Sequence, residues 1–441
     1  MRQRLLWSVW MALCVILLGY VIQRSTFFPL LLSYGAFFVA YILIFGSARS
    51  IQDIRYYMLF GIALRLLLLP AFPILSDDVY RFIWDGRLLL HGWNPFDHLP
   101  IYFIDNQILT TQLTPELYAL LNSKTYYTIY PPVLQGIFAL SVWCFPDSIY
   151  GATLAMKSTL LAADAGSIFL LDRLLQRLSM PRRYVLLYAL NPLVIIEIAG
   201  NLHFEGLMIF FLLGSLHFLS QSGQSLRQDT LSATSMALAI ATKLLPLMLL
   251  PFLIRYLGWR RSFRYFAILG TVLLLLWIPL YNQLFISHFG ASLNLYFQRF
   301  EFNASVFYLL KYIGQAISGN NLVRHLGPSL ALLAMSSIIV LAAFRRQHHL
   351  PALLENWLFA LSIYLLLATT VHPWYLATPV VLSAFTRWRY AIVWSGLVWL
   401  SYSHYQGSGF QERYWLIILE YLGVMAYIIY EWRRRVFFTK T

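Results

Sequence analysis

The feature that most limits what this chain can become is a repeated alternation. Apolar runs of about 20 residues are separated by short connections in which arginine and lysine collect. A hydrocarbon layer ~30 Å thick is crossed by a helix rising ~1.5 Å per residue, so each such run is the length of one crossing. The first three are Leu5 to Ile22, Phe27 to Gly46 and Tyr56 to Leu75. With 60% hydrophobic and only 11% charged residues, the 441-residue chain cannot be a soluble globular protein. Its net charge of +14 does not point to nucleic acid, because the basic residues cluster at the ends of apolar runs, where membrane topology puts them.

Arg2 and Arg4 precede the first run, and Arg49 and Arg55 lie between the second and third. The positive-inside rule therefore places the N-terminus in the cytoplasm and the stretch after Leu75 outside. No small-residue cleavage site follows the first run, which reads as an uncleaved span. Residues 76–132 are polar, aromatic and rich in turn formers, too long for a connector, and read as a structured extracytoplasmic loop. Val133 to Phe145 is short; counting it as a crossing would put the four arginines between Asp172 and Arg183 outside, so it reads as re-entrant or interfacial. Continuing to the C-terminus gives an all-α, polytopic membrane domain over residues 1–441 with about 12–14 crossings, both termini cytoplasmic and a second outer loop at 287–325. Cys14 and Cys144 offer neither a disulfide framework nor a thiolate metal site.

This topology collects polar residues on the outer side. Ser76 to Arg87 holds three Asp and two Arg directly after an apolar run. With Ser76 as N-cap, Asp77 and Asp78 open a helix whose positive end favours carboxylates, and Asp77/Arg81 and Arg81/Asp85 are i,i+4 pairs. Capping accounts for one carboxylate there more readily than for two. The functional reading makes Asp77 or Asp78 a general base at the mouth of a cavity. Two adjacent carboxylates also suit a divalent cation such as Mg or Mn through oxygen ligands, although the reading requires no cofactor and assigns no metal site. Asn201, His203 and Glu205, then Lys243, then Arg299, Glu301 and Asn303, then His372, Trp374 and Tyr375 fall on the same side. Inside the spans, Arg65, Lys157 and Asp164 are costly charges; Arg65 with Asp164 makes a structural ion pair, and Lys157 lies two turns from Asp164 on one face.

Asp77-Asp78-Val79-Tyr80, Gly92-Trp93-Asn94-Pro95-Phe96 and Tyr130-Pro131-Pro132, in this order, resemble the first outer loop of the GT-C superfamily of polytopic glycosyltransferases. The likeness is to the bacterial polyprenol-phosphate-mannose-dependent mannosyltransferases and, more loosely, to the catalytic subunit of GPI mannosyltransferase I. The resemblance implies sugar transfer at the outer face of a bacterial cytoplasmic membrane, from a polyprenyl-phosphate sugar to a lipid or glycan acceptor, with a loop aspartate as base. Asp77 and Asp78 stand adjacent, where a strict Asp-x-Asp arrangement would separate them. The departing lipid phosphate calls for cations, and Arg81, Lys243 and Arg299 are the candidates. Trp93, Asn94, Tyr130, His203, Glu205, Asn303, His372, Trp374 and Tyr375 are candidates to contact sugar or lipid, aromatic faces being suited to stacking on a sugar ring. The rival reading is a transporter or flippase of a lipid-linked or anionic solute, against which stands the lack of an inverted repeat of broken helices.

Overall fold

The computed structural model describes residues 2–108, 110, 112–221, 225–298, 300–318, 323–406 and 409–438. Among them every regular element is helical, and the one extended pairing is an isolated parallel bridge between Phe302 and Thr370. The all-α polytopic class is thus the observed one.

Among the described residues, seven helices are long and apolar enough to cross a membrane: Gln3–Val21, Phe27–Ser47, Ile149–Arg177, Trp259–Leu280, His325–Phe344, Leu350–Leu367 and Tyr414–Arg435. An eighth span results if Arg182–Ala189 and Val194–Gly200, bent by 55°, are joined. Other runs read as crossings are shorter or interrupted. Glu205–Leu219 has 15 residues, and the segment after Thr242 passes through a 3-10 turn at Leu245–Leu249 before Leu250–Leu257. Prolines explain much of this: Pro192, Pro246, Pro251 and Pro373 each remove a helix donor and restrict the residue before them. Broken backbone at membrane depth is tolerated only where protein or a polar cavity covers it. Three of these breaks, at 200–205, 243–249 and 368–376, meet at one end of the bundle and there form the polar chamber described below.

Buried polar contacts pin the bundle. Arg65 and Asp164 are both fully buried, with Nε 2.5 Å from Oδ2; Tyr188 donates to the other carboxylate oxygen, and the Arg65 guanidinium also donates to the Gly61 and Ala189 carbonyls. The ion pair expected from sequence is therefore present. Among the described residues Lys157 takes no carboxylate. Its ammonium instead donates to the carbonyls of Leu68, Ala71 and Gly200, where the chain leaves the ends of two helices. Ser215, Ser232 and Tyr265 exchange hydrogen bonds of 3.0 to 3.1 Å across three helices.

Residues 76–132 are ordered by the charges that drew attention in the sequence. Helix Asp78–Leu90 is almost wholly buried, unlike a solvated juxtamembrane helix. Arg81 donates to Asp85 at 2.7 Å and to the carbonyls of Ser123 and Tyr126, while Thr128 and Gln135 donate to Asp85. Val133 to Phe145 forms the 13-residue helix Pro132–Cys144 packed against Asp78–Leu90. The approach is close at Gly86, where an added Cβ would sit 2.6 Å from the Phe138 carbonyl oxygen. Gly86→Ala should push the two helices apart at a cost of about 1–3 kcal/mol, lowering the thermal unfolding midpoint in detergent. Gly136→Ala on the partner helix has open space around it and should leave the midpoint unchanged or higher.

Candidate active site

The helix Asp78–Leu90 begins one residue later than expected. Asp77, not Ser76, is the N-cap, and it makes no side-chain cap bond. Its carboxylate also does not pair with Arg81. It takes a hydrogen bond of 2.8 Å from Arg24, which lies in the short connection after the first span and whose guanidinium sits 4.5 Å over the Tyr405 ring. Asp78 occupies the first helical position and accepts a hydrogen bond of 2.8 Å from Asn122. Removal from water pushes the Asp78 carboxyl above the usual carboxylate range. Asn122, Lys243 and Arg24 act in the opposite direction, and Asp77 adds to the rise. The two adjacent aspartates are therefore different groups. One is an arginine-bound, half-exposed carboxylate, and the other is a crowded carboxyl within reach of the Lys243 charge.

Lys243 ends the helix Leu226–Thr242 and is half-buried, its ammonium 2.5 Å from the buried carboxylate of Glu205 at the start of Glu205–Leu219. Beside this pair three rings stack: His203 on Trp374 at 3.6 Å between centroids, and Trp374 on His372 at 4.4 Å. His203 faces Glu197 at 3.4 Å, and Tyr402 donates to the second Glu197 oxygen. Asn201 accepts from the Leu75 backbone N–H, tying the chain that leads into Asp77 to the break that presents His203.

From Lys243 and Glu205 a groove of about 400 Å³ runs between helices. Tyr130 and Tyr375 flank its polar end; Met208, Leu245, Met248, Leu367 and the small residues Gly327, Ala331 and Ala334 form its walls. Asp78 is not among the lining residues, although the Lys243 charge reaches it.

The structure thus brings Asp78, Lys243, Glu205, His203, Trp374, His372, Tyr130 and Tyr375 to one end of the bundle, with Asp77 alongside. Other candidates lie elsewhere. Arg81 is engaged inside the loop, where Asp85 and two carbonyls hold its guanidinium. Trp93 packs edge-on against Phe103, and Asn94 donates to the Leu280 carbonyl while accepting from Phe96. Asn303 is fully buried and donates to Glu420, bracing a left-handed turn (φ 49°) that holds Phe302 against Thr370. Arg299 lies outside the described residues. Three contributors escaped the sequence reading: Arg24, Asn122 and Glu197. Arg24 did carry a signal, as a basic residue in a short connection on the predicted outer side, where the positive-inside rule disfavours it.

A helical membrane protein that presents a carboxyl, a lysine and an aromatic wall at the head of an apolar groove has the parts of an enzyme acting on a polar group carried by a lipid. The chain matches, over residues 9–258, the profile of the N-terminal domain of the MptA_B family, alpha-(1->6)-mannopyranosyltransferases. This is more than half of its length, and the protein belongs to that family and is a glycosyltransferase, in keeping with the GT-C resemblance. No match was found among curated proteins or solved structures.

Proposed function

We propose that the protein transfers mannose from a polyprenyl-phosphate-linked donor to a hydroxyl of a lipid or glycan acceptor at the extracytoplasmic face, with Asp78 as general base and inversion at the anomeric carbon. The observation that carries the proposal is the Lys243–Glu205 pair at the polar end of an apolar groove, with Asp78 within reach of the Lys243 charge. The groove takes the isoprenoid chain, so the phosphate comes to rest at the Lys243 ammonium and the sugar projects toward Asp78. The acceptor oxygen attacks C1 as Asp78 takes its proton; the C1–O bond to phosphate breaks, and the leaving phosphate keeps the electron pair beside Lys243. The linkage in the family's description makes a primary 6-hydroxyl the nucleophile. Glu205 retains one buried oxygen without a hydrogen-bond partner among the described residues, and this is the acceptor we assign to a sugar hydroxyl. Tyr130 and Tyr375, at the polar end of the groove, offer the aromatic surface for the apolar face of the sugar, and the His203–Trp374–His372 stack stands behind them as a support.

Lys243→Met should lower kcat/KM by about 10²-fold, the order lost with one donor to a developing anion. Because it strands the Glu205 carboxylate, Lys243→Met/Glu205→Gln serves as the companion variant, which should fold yet show a similar or greater loss. The deciding experiment supplies reconstituted protein with radiolabelled polyprenyl-phosphate mannose and a membrane lipid extract, or with a nucleotide mannose in place of the lipid donor. Label should enter the acceptor from the lipid donor alone. Transfer only from the nucleotide sugar refutes the donor assignment, and movement of intact donor between leaflets without transfer refutes the transferase reading in favour of a flippase.

A further inference from the structure

A second cavity, of about 830 Å³, lies at the other end of the bundle. The helices Val323–Phe344 and Leu350–Leu367 run between the two: Gly327 and Tyr364 line the groove, whereas Arg345 and Glu355 line the far cavity. At ~1.5 Å per residue, Gly327 and Arg345 are about 27 Å apart, close to the thickness of a hydrocarbon layer. The far cavity thus opens at the membrane face opposite the catalytic chamber.

Its lining is rich in donors. Arg345, Arg346 and Arg387 come from two separate connections, and His349 stands at the start of Leu350–Leu367. His349 accepts the Ala352 backbone N–H through Nδ1, which leaves the ring proton on Nε2 as a further donor. Among the described residues the only carboxylate in the lining is Glu355, 3.6 Å from Arg345. Two other arginines on this face are matched by acids: Arg182 by Asp172 at 2.5 Å and Arg261 by Asp229 at 2.6 Å. The Arg346 and Arg387 guanidinium groups have no such carboxylate among the described residues. The turn that presents them is held in place: Asn356 donates to the Arg346 carbonyl, and Gln347 to that of Ala342.

We propose that this cavity binds a phosphate group, carried by an anionic lipid headgroup of the adjacent leaflet, through the guanidinium groups of Arg346 and Arg387. A guanidinium fork fits phosphate oxygens in pairs, and at headgroup depth phosphate is the anion at hand. The site is distinct from the catalytic chamber and does not depend on the reaction assigned to it.

The test uses the full chain purified in neutral detergent, titrated with short-chain phosphatidylglycerol and followed by native mass spectrometry and thermal unfolding. Phosphatidylcholine and inorganic phosphate form separate arms. Arg346→Gln/Arg387→Gln should bind phosphatidylglycerol about tenfold more weakly, the scale of one charge-assisted contact, with the lipid-free unfolding midpoint unchanged. The exposed pair Arg433→Gln/Arg434→Gln, off the cavity, should keep wild-type affinity. Competition by inorganic phosphate at millimolar concentration would support the phosphate site and assign its natural occupant to a soluble ester; lack of competition assigns it to the lipid. Equal losses in both variant pairs, or phosphatidylcholine binding as tightly as phosphatidylglycerol, would overturn the proposal.

Discussion

Asp78→Asn is expected to lower kcat/KM for mannosyl transfer by ~10²–10⁴-fold, the range associated with a positioned general base. The exchange keeps the size of the side chain and an oxygen that can accept from Asn122, so folding and donor binding should survive while proton abstraction is lost. Asp77→Asn should cost much less, because it weakens a contact to Arg24 and leaves the base in place. The pH profile separates the two roles. The base must be ionised to work, and the Asp78 carboxyl is pushed above the usual aspartate range of about 3.9 by removal from water. Wild-type kcat/KM should therefore fall on acidification with a midpoint above that range, and the residual rate of Asp78→Asn should lack that limb. If Asp77→Asn removes the activity and the acid limb while Asp78→Asn keeps both, the base is Asp77 and the assignment is wrong.

Much of this arrangement could be read from sequence, and the part that could not has a physical cause. Spans and the acidic loop were legible because hydrophobicity and charge clusters follow directly from the solvent a segment meets. The pairing of Arg65 with Asp164 was legible for the same reason, since a charge inside a membrane has to find its opposite. Lys157 was not legible, because its partners are backbone carbonyls where helices end, and every residue type carries one. The choice between Asp77 and Asp78 was likewise hidden. Consecutive residues at a helix start differ in direction by roughly 100°, so a shift of the cap from Ser76 to Asp77 decides which carboxyl meets Arg24 and which meets Asn122. Arg81 drew attention as a phosphate ligand because its charge was conspicuous. The same charge is what holds residues 123–128 over the helix, and only distances reveal that use. The convergence of three helix breaks needed the structure as well: the prolines mark where helices stop, but not which stops meet.

Asp164→Ala is expected to destabilise the protein by about 3–5 kcal/mol, the cost of stranding one member of a buried ion pair. Both side chains are fully buried, and the carboxylate serves Arg65 and Tyr188 together, so its removal leaves a guanidinium and a hydroxyl short of acceptors. The loss should reach the active site. Arg65 ties the helix Ile51–Leu67 to Ala189, just before the bent segment that carries Glu197 and leads to His203. Thermal unfolding in detergent, followed through the 14 tryptophans, reads the effect directly. Arg65→Met/Asp164→Leu removes both charges and fills the space with apolar atoms, so it should recover most of the loss, because a hydrophobic replacement avoids desolvating two ions. A double variant as unstable as Asp164→Ala would mean that the damage comes from packing rather than from the stranded charge. A single variant with an unchanged midpoint would mean that water reaches Arg65, and that the pair does not hold the membrane core together.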